Sequence, residues 1–171
     1  VAPDELDQGA VAITPLTHMA AEWARSLPRE LNGEMVKMAR RKVAGLFDLE
    51  SGFAFQRVPD ITGTAMAGDV DGQVKRHALI AASFAEIAAD SGKAVPEVLT
   101  GFSDAFRQHA GQLRNQGEFS LETLLAGARE IAERRDILTD VREALDAVIA
   151  GLNEGGSGVP SQGAFDPEAY G

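Results

Sequence analysis

The chain contains no cysteine, which excludes disulfide bridges, thiolate metal sites and cysteine nucleophiles. Aromatic residues are scarce, 6% of 171 residues with a single Trp and a single Tyr. Strands and sheet cores draw on such side chains, so their scarcity argues against a sandwich or barrel. No apolar run reaches the ~20 residues that a membrane-spanning helix needs. Membrane insertion by this segment is not expected. Glycine is frequent, yet its 18 residues never fall into G-x-G-x-x-G or a Walker loop, which removes the two commonest nucleotide signatures. Positive charge is the minority sign: 16 basic against 26 acidic residues give a net charge of −10 and a pI near 4.7. Such a surface repels nucleic acid and anionic lipid at long range.

What the chain does have is the composition of a globular protein, 44% apolar and 25% charged, at a length suited to one domain with a real core. Alanine, leucine and glutamate recur, which favours helices. The central stretch is His77 to Gly92, where Glu86 is the one charge between Ala78 and Ala89. A helix nearly apolar all round is one that neighbours cover on several sides. Val74, Ala78, Ala81, Ala85 and Ala88 offer a small-residue face for close backbone approach, and Ile80, Phe84 and Ile87 a bulky one.

The other helices follow from spacing and caps. Thr14-Pro15 starts the first, with Leu16, Met19, Ala20, Trp23 and Leu27 in a stripe and Pro28 at its end. The second spans about 32–47 and carries Lys37, Arg40, Arg41 and Lys42, a basic cluster read as a solvated face and not as a nucleic-acid site. The fourth starts near Pro96 and runs towards Leu113, and the fifth starts at the N-cap Ser120. A sixth covers about 136–152. The resulting expectation is an all-α fold: an orthogonal or up-down bundle of about six helices around a central alanine-rich helix, with one long ordered loop. The domain division is an N-terminal arm over 1–13, a helical domain over 14–152 and a flexible Gly/Ser/Pro linker or tail over 153–171. With neither an initiator Met nor a signal sequence in view, the chain reads as a mature product or an excised domain.

The long loop, Asp48 to Gly72, is the place to look for function, because structureless connections of this length are uncommon in compact domains. Phe53, Phe55, Val58 and Ile61 should pin it onto the helices, and Phe53, Phe55, Asp60 and His77 are its candidate binding residues. Asp69-Val70-Asp71-Gly72 resembles the opening of an EF-hand calcium loop, making Asp69 and Asp71 candidate metal ligands with Asp60 nearby. The pattern fails further on, with Gln73 at the fifth position and Ile80 where a bidentate Glu belongs. The plain alternative for this stretch is an Asp N-cap on the helix. His18, His77 and His109 lack the i, i+3 or i, i+4 partner of a helix-borne metal pair. Ser83 has no G-x-S-x-G around it, and Glu130 and Glu133 sit beside Arg129 and Arg134 as an ordinary charged surface. No catalytic residue and no cofactor is indicated, calcium being the one ion with a candidate site.

The stretch Gly9 to Ala24, GAVAITPLTHMAAEWA, together with the Phe53–Thr64 loop and the Ala78–Ala88 helix, resembles a helical domain of exported bacterial lipoproteins and large surface adhesin-like proteins. That domain opens on a V-T-P-L-T-T-L-A type motif. The resemblance spans roughly Gly9 to Glu133 and departs at His18, which replaces the second threonine, and at Lys75-Arg76-His77, which replaces a tyrosine. It implies export to the cell surface, outer membrane or periplasm, and a non-enzymatic binding or structural module whose partner is a protein or glycan at the cell surface. It carries no catalytic residues over. The competing expectation is a small ligand-binding or enzymatic bundle with its site between residues 48–72 and the central helix.

Overall fold

The computed structural model describes residues 13–50, 52–55, 57–61, 71–134 and 150. Among them are five α-helices and no strand: α1 (Pro15–Ser26), α2 (Gly33–Leu46), α3 (Gly72–Ser91), α4 (Val95–Gln108) and α5 (Leu121–Glu133), with one 3-10 turn at Phe53–Phe55. The all-α class is therefore met. Of the sixth helix expected over 136–152 only residue 150 is described, of the arm over 1–13 only residue 13, and the tail over 153–171 lies outside the described residues.

The helix starts obey the capping rules. Thr14 caps α1 through its hydroxyl, which accepts from the Thr17 N–H at 3.3 Å, while Thr17 Oγ1 accepts from the Thr14 N–H at 2.8 Å. Asn32 does the same for α2, and Ser120 for α5. At α4 the acceptor is Glu97, whose carboxylate takes the Ala94 N–H at 2.8 Å. Each cap satisfies an N–H that the helix itself leaves open. At the far end of α3, Gly92 takes the left-handed conformation, φ +65°, as helix C-termini commonly require.

α4 ends sooner than its apolar pattern suggests. It stops at Gln108, and Ala110 and Gly111 follow with φ of +55° and +79°. The Gly111 N–H donates to the Phe106 carbonyl at 2.8 Å, a reversal that closes the helix and makes His109 its C-cap. Leu113 remains buried, but from the connecting segment and not from the helix.

α3 lies between two sets of apolar contacts. Ile80, Phe84 and Ala88 join Leu16, Met19, Trp23, Val43, Phe53, Phe102 and Phe106 in the larger core, while Ala78 and Leu79 meet Ala128, Ile131 and Ala132 of α5. The four consecutive residues His77 to Ile80 are all buried. Successive helical residues point ~100° apart, so this turn is covered in every direction. Further along, Ala85, Ala89 and Asp90 are exposed, so Ala85 does not belong to the packed small-residue face. In the larger core the rings stack edge to face: Phe84 on Phe102 at 5.0 Å, Phe102 on Phe119 at 5.4 Å and Trp23 on Phe106 at 6.1 Å between centroids. Burying each Phe contributes roughly 1.5–3 kcal/mol.

Two glycines permit close crossings. A Cβ on Gly101 would stand 2.2 Å from Phe119 Cζ, so the ring of the connecting segment rests directly on the α4 backbone. A Cβ on Gly127 would stand 3.1 Å from the Ser83 carbonyl oxygen, where α5 crosses α3.

Candidate functional site

The described part of the long loop is fastened to the first turns of α3. Asp48 leaves α2 with φ +51°, and its carbonyl accepts from Gln73 Nε2 at 3.2 Å and from Arg76 Nη1 at 3.1 Å. The same guanidinium pairs with the Asp48 carboxylate at 2.6 Å. Gln73 Oε1 accepts from the Glu50 N–H at 3.0 Å. Two side chains of α3 thus substitute for the backbone partners that the chain gives up as it leaves α2.

Beyond this clamp the 3-10 turn divides its two phenylalanines. Phe53 is 0% exposed and meets the edge of the His77 ring, centroids 5.4 Å apart at 83°. Phe55 is 44% exposed, with the Arg40 guanidinium 5.0 Å above its ring centroid. Phe55 therefore does not pin the loop, contrary to the sequence pattern. At three residues per turn the three side chains point ~120° apart; Phe53 and Ala54 take the two buried directions and Phe55 the outward one. Val58 and Ile61 are half-buried against the α3–α5 contact, as expected of loop anchors.

His77 is sealed. Its side chain is 0% exposed, and Nε2 lies 3.2 Å from Thr14 Oγ1. Nδ1 is buried and has no hydrogen-bond partner among the described residues. Burial lowers its pKa from 6.5 to about 4, because the imidazolium would lose its hydration without gaining a counter-charge. At neutral pH the ring is a neutral bridge between α3, the start of α1 and the 3-10 turn.

Of the candidate metal ligands, Asp69 lies outside the described residues. Asp71 is exposed and caps α3, its Oδ1 accepting from the Gln73 N–H at 2.7 Å. Asp60 is exposed and already has a partner. The structure brings Phe53 together with His77 and leaves Phe55 apart, against Arg40 of α2.

Sequence reasoning missed a carboxylate group of another kind. Glu86 and Asp90 of α3 and Glu130 of α5 hold oxygens within 4.8 Å of one another. The Glu130 pKa is raised to about 6, first by its hydrogen bond with Asp90, then by desolvation and by the charges of Asp90, Glu86 and Glu133. Arg134 approaches Glu86 at 3.4 Å. The i, i+4 spacing of Glu86 and Asp90 was visible in the sequence, but the third member comes only from the α3–α5 pairing.

Comparison with protein-family models, with curated proteins and with solved structures finds no match.

Proposed function

We propose that this chain is a non-enzymatic helical binding or structural module of an exported, cell-surface-associated bacterial protein, serving adhesion or extracellular ligand binding. The observation that carries this reading is the contrast within one turn. Phe53 and His77 are sealed into the core, while Phe55 stands 44% exposed under a guanidinium. An aromatic ring held outward on a clamped loop suits a contact surface, and Arg and aromatic side chains are the residues that dominate such contacts. The opening motif, with its resemblance to exported surface proteins, supports the compartment. The architecture that goes with it is a bundle of about six helices around α3, the sixth over 136–152.

The competing ligand-binding or enzymatic reading has its site between residues 48–72 and α3, in a pocket holding His77 or Asp69. A His77 side chain with 0% exposure gives the His77 version less support.

Antibodies against the domain should label intact cells that make the protein. Cells displaying the domain should adhere to surfaces coated with extracellular protein or glycan, and cells displaying Phe55→Ser should adhere less. Labelling that requires permeabilised cells would overturn the surface assignment, and equal adhesion by the two displays would overturn the role of the loop.

A further inference from the structure

We propose that the outer face of α2, completed by Phe55, is a docking surface for a carboxylate-rich segment of a partner protein. The proposal deepens the binding-module reading and rests on it. Four of the chain's 16 basic residues fall between Lys37 and Lys42, in a molecule of net charge −10. Val36 and Arg40, and likewise Lys37 and Arg41, are four residues apart and form two neighbouring rows on the helix. Val36 is 38% exposed, and Lys37 and Arg41 are exposed. Arg40 leans over Phe55, joining the loop ring to the helix face. Lys37 pairs with Glu34 at 3.0 Å, but both side chains remain more than half exposed, a geometry in which an intrahelical pair is weak and readily exchanged. Lys42 is turned away, its aliphatic stem lying over Gly111. The surface thus combines Lys37, Arg40 and Arg41 with the exposed side chain of Val36 and, through Arg40, the exposed ring of Phe55.

Charge complementarity selects the occupant. Planar guanidinium groups match carboxylates in a two-pronged arrangement, and the exposed Val36 and Phe55 offer contacts to an aliphatic or aromatic side chain beside the acids. The helix rises only ~8 Å from Val36 to Arg41. A long polyanion such as nucleic acid would overrun that length onto a surface of its own sign, whereas a short acidic segment of a protein would not. Contacts of this size are weak, and exposed charges are screened beyond ~10 Å at 0.1 M salt, so the binding should be salt-sensitive.

The test is an amide-resolved NMR titration of the whole chain with a synthetic peptide of glutamates flanking one Trp. The same peptide with every Glu replaced by Gln, and an oligothymidylate, are run beside it at the same salt. The expected result is a shift confined to Val36–Arg41 and Phe55, induced by the glutamate peptide alone. It should weaken about tenfold in K37E/R41E and again when salt rises from about 0.05 to 0.5 M, as screening of exposed charges requires. Both substituted positions are exposed, and an unchanged amide spectrum outside α2 verifies the fold of the variant. No shift, a shift elsewhere on the molecule, equal binding of the glutamine peptide, equal or tighter binding of the oligothymidylate, or unchanged binding by K37E/R41E would each overturn the proposal. A domain displayed on the cell surface that ignores the glutamate peptide overturns this partner chemistry alone. A domain labelled only inside the cell overturns the broader reading and leaves the peptide result standing.

Discussion

His77 Nε2 lies 3.2 Å from Thr14 Oγ1, across 63 residues of sequence. The hydroxyl that caps α1 is thereby also the polar partner of a histidine buried in α3. One threonine serves a local rule and a tertiary contact at once, and the two roles separate in the laboratory.

The histidine makes folding pH-dependent. Its folded-state pKa of about 4 lies below the ordinary 6.5, so between these values the unfolded chain binds the proton and the folded chain does not. The stability from neutral His77 is fully present above pH 6.5, falls as pH drops towards 4 and is lost below it. The loss amounts to at most about 3 kcal/mol, at ~1.4 kcal/mol per pKa unit. Urea unfolding from pH 7 to 4 should show this decline, and His77→Phe should remove it, leaving only the carboxylate contribution. A parallel decline in the variant would show that His77 is not its source.

Thr14→Ala should cost more than a cap. Loss of the cap alone is worth ~1 kcal/mol, and a buried imidazole nitrogen left without a partner adds roughly 1–3 kcal/mol. Thr14→Ser, which keeps the hydroxyl, should recover most of both. A double-mutant cycle of Thr14→Ala with His77→Phe should show coupling above ~0.5 kcal/mol; additive losses would mean that the 3.2 Å contact has no energetic weight.

Two helical glycines should respond oppositely to alanine. At Gly45 a Cβ meets nothing within 4 Å, so Gly45→Ala should stabilise by about 0.5–1 kcal/mol through helix propensity. At Gly101 the Cβ would stand 2.2 Å from Phe119, a ring that packs on Phe102 and lies under Lys93 at 5.3 Å. Displacing it should outweigh the propensity gain and leave a net loss of about 1–2 kcal/mol. Thermal unfolding of the two variants checks both signs.

The carboxylates at the α3–α5 contact should oppose folding at neutral pH. The folded-state pKa of Glu130, about 6, lies above the ordinary 4.5, so the folded chain holds the extra proton between these values. Stability from this group is present at acid pH and is lost as pH rises through 6. Glu130→Gln should therefore raise the melting temperature at pH 7 and change it little at pH 4.5. A variant melting lower than the parent at pH 7 would contradict the repulsion.

The elements most legible in the sequence were those set by near neighbours. Thr14-Pro15 and Ser120 marked helix starts because a cap involves residues only two or three apart. The end of α4 was less legible, since Leu113 keeps an apolar spacing while the chain has already reversed at Ala110 and Gly111. The candidate site was legible in part. Phe53 and His77 were both singled out, but not their contact with each other, and Phe55 was assigned inward because the dihedrals of a three-residue turn leave no periodic trace.

The sequence by itself determined that this protein is built of helices, where most of them begin, and that its charge is concentrated in acids with one basic segment. These follow from short-range hydrogen bonding, side-chain periodicity and composition. Only the tertiary structure decided that Thr14 meets His77, that Glu130 joins Glu86 and Asp90, and that Phe55 turns outward under Arg40. Each depends on which helices pack together and how a short turn is oriented, and those are settled by the joint burial of many apolar side chains.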